Sequence, residues 1–429
     1  MALNVTTNEQ YNEYVRRTFG PDLFHIIFDG PERASSGMWK HLGNCEYKIA
    51  YRLMNPGMFS VQLILAYEKY GALNELVEDW PVTNYTRMIP SNFTLDICAS
   101  HCPAFTSRSV EEMSLTACSR TEPTQGVYLR ISGETDREQR YANEYQHKYV
   151  YEPLGCRFDQ RFEPHANDTC LNKRDFVVRF AGDSQTRWVA TGTNARLRGE
   201  GKVGWGIEPS KYFNPSDLAE HPNVAPFVAG GDADLKEDDV RYNLKGVFVD
   251  YGDPAFLDYF VDSDWVRNWD QEKQQTRTEL ELAKFDVVTF ATGHWPSSGR
   301  YLGGHFGVER YVKLLEYAAT YMEEIQRRRP LHGYKPIQFI WLGVNAFTLI
   351  EDHNHKYVGY KDWRNNYRIR VWNMFASELF QGYGFPRINN FEITLPWVQD
   401  SADQSHLDGL PGLEALVDEV LHKLNICNV

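Results

Sequence analysis

From residue 174 onward, short apolar runs alternate with stretches of helical periodicity, and this alternation limits the fold more than any other feature of the chain. The apolar runs lie at 176–181, 246–251, 285–291 and 337–342, with a weaker one near 390–395. Between them, 307–325 carries Val308, Val312, Leu315, Ala319, Met322 and Ile325 on one helical face. A second helix is expected over about 363–380. A third, started by Pro411, runs over 413–424 with Leu416, Val417, Val420 and Leu424 facing inward. Strands that are apolar throughout and separated by helices form a parallel sheet covered on both faces. The expected class is therefore α/β. In such sheets functional residues gather where strands end at their carboxyl edge. Ser184, Gly252 and Gly293-His294-Trp295 stand at such ends. The Gly- and Asp-rich stretch 199–243 reads as an irregular insertion over the rim of the site.

The first 172 residues read differently. Cys45, Tyr47, Ile49, Tyr51 and Leu53 alternate with polar positions, and so do Phe59, Val61, Leu63, Leu65 and Tyr67. Asn55-Pro56-Gly57 lies between the two runs, so the pattern predicts a β-hairpin. Further strands are expected at 127–131 and 149–151, with a loop-rich, Cys-containing stretch over 80–124. A length of 429 residues suits two or three domains. The expected division is a small β-sandwich-like domain over 1–172 and an α/β domain over 173–429. The first would bind glycans or brace the second.

Charge and composition narrow the partners. A net charge of -13 argues against nucleic acid and anionic membrane surfaces. No run of 18 apolar residues is present, so a membrane would be reached only through an anchor outside this sequence. Aromatic residues make up 14% of the chain, which suits either carbohydrate-facing surfaces or aromatic cores. The polar N-terminus lacks the apolar core of a signal peptide. Against that cytosolic sign, Cys45, Cys98, Cys102, Cys118, Cys156 and Cys170 all precede residue 174, as do the sequons at Asn4, Asn84, Asn92 and Asn167. Their clustering favours an oxidising, glycosylating compartment, the Golgi lumen or the cell exterior, and a leader or anchor missing from this sequence. Cys98 and Cys102 have no second Cys/His pair to complete a zinc site, and Cys427 stands apart.

The segment 175–196, DFVVRFAGDSQTRWVATGTNAR, joins an apolar strand to a helix through Gly182-Asp183-Ser184. The glycine permits a tight turn, and the serine falls where helix N–H groups are free to stabilise negative charge. Taken alone, the tripeptide also reads as a turn with an N-cap serine. Near the C-terminus, Asp403-Gln404-Ser405-His406 precedes the last helix. An Asp and a His at this spacing on one loop hydrogen-bond to each other and leave Nε2 for a serine hydroxyl. The alternative is a polar loop capping that helix. His353-Asn354-His355 beside Asp352 reads as surface rather than as a metal site, so no metal or other cofactor is expected.

Gly182-Asp183-Ser184 with Arg187, Gly293-His294-Trp295, Trp341 and Asp403-x-x-His406 together resemble the PC-esterase branch of the SGNH/GDSL hydrolases. That branch includes trichome-birefringence-like polysaccharide O-acetyltransferases, the luminal domain of sialic-acid O-acetyltransferases, and neurexophilin-and-PC-esterase proteins. The resemblance covers about 174–429, and a β domain ending in Tyr151-Glu152-Pro153-Leu154-Gly155-Cys156 looks like the neurexophilin-type arrangement. It implies an SGNH-type three-layer α/β/α domain and carbohydrate O-acetyl transfer or ester hydrolysis on a glycan or polysaccharide. The acetyl donor would be acetyl-CoA or an acetylated glycan. Ser184 would be the nucleophile, His406 the base and Asp403 its orienter. Backbone N–H groups of Ser184 and Gly252 would hold the oxyanion, with Asn345 or His294 as a side-chain substitute. Arg187, His294 and Trp295 would contact substrate, although Arg187 would equally serve as an ion-pair partner and Trp295 as packing. The chain departs from the family at Ala291, where many members carry an Asn. That departure leaves a second reading open, a non-catalytic glycan-binding ectodomain on the same fold.

Overall fold

The computed structural model describes residues 22–67 apart from 37 and 45, 87–158 apart from 90–92 and 99–101, 176–197, 240–252 apart from 245–246, 286–298, 308–349, 365–401 and 406–425 apart from 408, with isolated positions before 22. The result is a mixed α/β protein with an antiparallel sheet from its first part and a smaller, mainly parallel sheet from its second.

The chain enters through β1 (Leu23–Asp29) and reverses at Gly30-Pro31 into β2 (Glu32–Ser36). β3 (Met38–Gly43) and β4 (Glu46–Ala50) pair only with each other, as a two-stranded ribbon. β5 (Gly57–Tyr67) lines the other edge of β1 and carries β6 (Arg87–Ile89) and β7 (Thr94–Ile97). After α1 (Ser107–Glu112), β8 (Gly126–Arg130) joins β2. Then α2 (Asp136–Asn143) leads to β9 (Tyr149–Pro153), which pairs with β8.

The hairpin expected over 45–67 does not form. Both of its strands exist, but β4 belongs to the ribbon and β5 to the large sheet. The connection between them is tied down elsewhere: Met54 N–H and the Asn55 amide both donate to the Glu32 carboxylate, and Phe105 N–H donates to Asn55 Oδ1 at 2.7 Å. Asn55 is buried, so its side chain bridges distant segments instead of closing a surface turn. The Cys pair 98/102 is a disulfide, and so is Cys118–Cys156. Cys45, Cys170, Cys427 and all four sequon asparagines lie outside the described residues.

The second part begins with β10 (Phe176–Ala181) and α3 (Ser184–Leu197). β11 (Val240–Leu244) is an antiparallel edge strand against β12 (Val247–Gly252), overlapping the end of the stretch 199–243 that was expected to be irregular. Then come β13 (Val287–Phe290), α4 (His294–Ser298), α5 (Val308–Arg328) and β14 (Gln338–Trp341). The chain ends with α6 (Asn366–Gly382), α7 (Asn390–Thr394) and α8 (Pro411–Leu424). The sheet order is β11-β12-β10-β13-β14, with the last four strands parallel. The strand expected near 390–395 is helix α7 instead, capped by the Asn389 side chain. The neighbour of β14 is a shorter stretch just before it: Arg387 bridges Trp341 in parallel, with Trp341 N–H on Pro386 O and Ile388 N–H on Trp341 O, each at 2.8 Å.

Side chains alternate across the parallel strands. Val288, Phe290, Phe339 and Trp341 join the apolar cluster of α5 and α6, while Val178, Phe180, Val287, Ile340 and Leu342 join that of α3 and α8. Neither cluster stops at residue 172. Leu23, Ile27 and Ile64 belong to the first, and Tyr128, Tyr149 and Tyr151 to the second. Polar contacts follow the same line: Tyr128 Oη donates to Ile393 O, and Arg33 Nε to Pro396 O, at 2.7 and 2.9 Å. Among the described residues no helix is long and apolar enough to cross a membrane.

Helix α8 is buried nearly all round, although only one apolar face was expected. Its acidic side meets two guanidinium groups: Asp418 pairs with Arg137 of α2 at 3.0 Å and with Arg196 of α3, and Glu414 takes Arg196 at 2.5 Å. Burial pushes the Asp418 carboxyl up, but the two guanidinium groups outweigh it and hold the group below its usual range. Asp418→Asn keeps the shape and removes the charge that both arginines face. Breaking such a buried set costs about 3 kcal/mol or more, to be read as a lower urea midpoint at neutral pH. A shift equivalent to less than about 0.5 kcal/mol would place this pair among inconsequential surface pairs.

His25 of β1 gives a pH-dependent expectation. Burial lowers its pKa from 6.5 to about 3, with a backbone hydrogen bond at Leu395 pulling weakly the other way. The unfolded chain therefore takes up this proton before the folded one, and stability falls as pH drops through the interval between those two values. His25→Gln should flatten that part of a stability-against-pH curve relative to wild type. Parallel curves would show that His25 contributes nothing to acid sensitivity.

Candidate functional site

Strand register sets out the frame of the site. Gly252, Ala181, Phe290 and Trp341 lie in one row across the sheet near the carboxyl ends of β12, β10, β13 and β14. In chain order these parallel strands are arranged second-first-third-fourth. Connections thus leave β10 on one side and return on the other, which opens a crevice between β10 and β13. Ser184 follows β10, and Thr292-Gly293-His294 follows β13. Both therefore border that crevice.

The turn after β10 is tight. A Cβ at Gly182 would stand 2.1 Å from Thr186 Oγ1, so only glycine lets the chain turn this sharply into α3. Asp183 then caps the helix, its Oδ1 accepting from Gln185 N–H at 2.9 Å and its carbonyl from Arg187 N–H at 3.1 Å. Ser184 opens the helix and is half-buried. Its Oγ lies 2.7 Å from His406 Nε2. Two residues 222 apart in sequence thus meet in the geometry that lets an imidazole accept a hydroxyl proton. Asp403 lies outside the described residues.

His406 reaches Ser184 because α8 is held against α3. Leu407, next to it, is buried in the α3–α8 cluster. A Cβ at Gly192 would stand 2.7 Å from Val417 Cγ2, so the missing side chain allows the two helices to approach. At the far end of α3, Arg196 is clamped by Glu414 and Asp418.

A second pair stands beyond the ends of β13 and β14. His294 Nε2 and Asn345 Oδ1 are 2.8 Å apart, and both residues are buried. The loops carrying Asn345 and His294 are fixed from three helices. Asn373 of α6 brackets the Val344 backbone with two 2.8 Å bonds, and Ala346 N–H donates to Thr394 Oγ1 of α7 at 2.9 Å. Tyr311 of α5 donates to Thr292 O at 2.8 Å. Asn345 also donates to Ala346 O at 3.1 Å. Arg187 lies on α3 one turn beyond Ser184, half-buried. Trp295 follows His294 in α4, and its side chain is outside the described residues, as are Asp352, His353, Asn354 and His355.

Ala291 continues the sheet, its N–H donating to Ala181 O at 3.0 Å, and it packs in the apolar cluster of α3 and α8. An Asn here would place an amide within that apolar cluster. That environment accounts physically for the alanine.

Ser184, His406, His294 and Asn345 were legible in the sequence, but the residues that position them were not. Gly192 and the acidic residues of α8 carried a signal: a glycine inside a helix and carboxylates on a helix about to be buried. Their meaning depends on which helix lies opposite. Comparison with known protein families and with curated proteins finds no match to this chain.

Gly192→Ala tests the close approach. The added methyl should overpack the α3–α8 contact at about 1–3 kcal/mol, against a gain of about 1 kcal/mol in helix propensity. The expected result is a lower melting temperature, recovered when Val417→Ala is added. A stabilised single variant would show that the helices have room to spare.

Proposed function

We propose that this chain is a serine-dependent carbohydrate O-acetyltransferase or O-acetylesterase on an SGNH-type three-layer fold, as its resemblance to the PC-esterase branch implies. The observation that carries the reading is the 2.7 Å contact of Ser184 Oγ with His406 Nε2 at the carboxyl edge of a parallel sheet. Helices on both faces of that sheet support the fold assignment.

In the proposed reaction His406 takes the Ser184 proton while Oγ attacks an acetyl carbonyl of acetyl-CoA or an acetylated glycan. The tetrahedral oxyanion sits against the backbone N–H groups of Ser184 and Gly252, with Asn345 of the loop after β14 as the side-chain candidate. His406 then protonates the leaving group, and an acyl-serine remains. A sugar hydroxyl or water, deprotonated by His406, attacks the acyl-serine and releases the product. Asp403 fixes the imidazole with Nε2 towards the serine. Arg187, His294 and Trp295 border the acceptor. The two disulfides support a secretory-pathway setting for this chemistry, in the Golgi lumen or outside the cell.

The second reading, a glycan-binding protein without catalysis, rests on the alanine at 291. Hydrolysis of an aryl acetate separates the two. The catalytic reading expects turnover by wild type and a loss of at least about 1,000-fold in kcat/KM for folded Ser184→Ala and His406→Ala. Added oligosaccharide acceptors would then divert acetyl from water if transfer is the native reaction. Wild type and Ser184→Ala equally inert towards aryl acetates and acetylated oligosaccharides would favour the binding reading.

A further inference from the structure

Arg33 is the side chain through which the antiparallel sheet grips the chain ahead of His406. It stands on β2, an inner strand, in register with Asp29 of β1 and Tyr128 of β8. Its Nε donates to Pro396 O at 2.9 Å, its Nη1 to Asp29 Oδ2 at 3.1 Å, and its Nη2 to the Asp400 carboxylate. The guanidinium carbon lies 4.5 Å from the Trp397 ring centre. Asp29 is itself held by Tyr149 Oη at 2.7 Å. A planar fork engaged on three nitrogens and on one face has a single orientation.

The gripped segment, 396–400, is fixed by more than this fork. Trp397 packs edge-on against Tyr128 and Tyr149, with ring centres 5.1 and 5.8 Å apart. A Cβ at Gly412, in the first turn of α8, would stand 3.0 Å from Trp397 Cδ1. His406 thus lies in sequence between two residues that stand close against each other. Val398 O accepts from Leu349 N–H at 2.7 Å, which ties the same segment to the chain beyond Asn345. The Asp400 side chain is 37% exposed, and an ion pair in such a place adds little to stability. Its consequence is where it holds the chain.

We propose that Arg33 is a positioning residue for the Ser184–His406 reaction, acting through Pro396, Trp397 and Asp400 to set where His406 stands. This rests on the reading of Ser184 and His406 as nucleophile and base. Packing on α3 through α8 fixes the chain after His406, and Arg33 fixes the chain before it. Without the fork, the imidazole loses the second of its two anchors. A misplacement of about one ångström costs up to about 100-fold in rate. The substrate's own contacts are untouched, so the loss falls on kcat and not on KM.

Kinetics on an aryl acetate test this in the full chain, with active sites counted by a fluorophosphonate. Arg33→Ala should lower kcat per titrated site about 10- to 100-fold, with KM within about 3-fold of wild type. Millimolar guanidinium should restore part of that kcat. Hydrogen exchange over 395–401 should quicken in the variant and stay as in wild type over 366–382. Asp400→Asn should lower kcat in the same direction, and adding Arg33→Ala to it should cost less than Arg33→Ala costs wild type. Asp400→Asn carries the test if Arg33→Ala does not fold. An active wild type whose kcat survives Arg33→Ala and Asp400→Asn within about 2-fold overturns the proposal and leaves the catalytic reading standing. So does a loss that lies in KM or in the number of titrated sites, or one without faster exchange over 395–401. A wild type that neither turns over the ester nor reacts with the fluorophosphonate overturns the catalytic reading itself, and this proposal with it.

Discussion

The buried ion set around Asp418 is the contact on which the rest of the molecule depends. Asp418 on α8 holds Arg137 of α2 and Arg196 of α3, so one carboxylate ties three helices from distant parts of the chain. Charges removed from water cost several kcal/mol each unless their partners are close and well aligned. Here each guanidinium has a second carboxylate, Glu152 or Glu414, and Asp418 also accepts from Tyr141 Oη. The set is satisfied only when α2, α3 and α8 occupy one relative position. Apolar packing alone would tolerate sliding of α8 along α3, and a shift of one ångström is enough to misplace a proton acceptor.

The rest of α8 reinforces that position against the first part of the chain. Glu419 accepts from Thr124 N–H at 2.9 Å, Lys423 donates to Glu122 O at 2.7 Å, and His422 lies 2.9 Å from Cys118 O. Burial pushes the Glu419 carboxyl up and the Lys423 ammonium down, which keeps either charge dependent on the other. The Cys118–Cys156 disulfide braces the loop that receives these contacts. The β-rich part of the molecule therefore does more than accompany the parallel sheet, because it supplies partners for the helix that follows His406.

Around the crevice the division of labour is simple. The parallel strands bring their ends into one row, and short loops carry the polar side chains past it. Ser184 is steadied by Gly182 and Asp183 within a few residues, so its placement is local. His294 and Asn345 are steadied by Asn373, Thr394 and Tyr311, which come from three separate helices. His406 depends on contacts of longer range than either, those of α8. A site assembled in this way combines a rigid strand-to-helix turn with partners whose geometry is decided by tertiary packing.

Whatever rests on period and on local turn chemistry could be read from the residues alone. The apolar runs became β10, β12, β13 and β14 within a residue or two, and the helices over 308–328, 366–382 and 411–424 followed their patterns. Gly182-Asp183-Ser184 was legible because the turn needs a glycine and the helix needs a cap within the same three residues. Tertiary structure decided everything that depends on which element lies opposite. The alternating runs at 46–50 and 57–67 were strands as their period required, but period does not name a partner, and the buried Asn55 sent them to different sheets. The segment 390–395 is apolar enough for a strand, yet the place beside β14 had been taken by 386–388, and Asn389 capped a helix. For α8 the sequence showed only one inward apolar face, because spacing cannot reveal that two arginines, one of them some 280 residues away, bury against its acidic residues. The 2.7 Å contact of Ser184 with His406 is of the same kind: both residue types were legible, and only the packing of α3 on α8 brought them together.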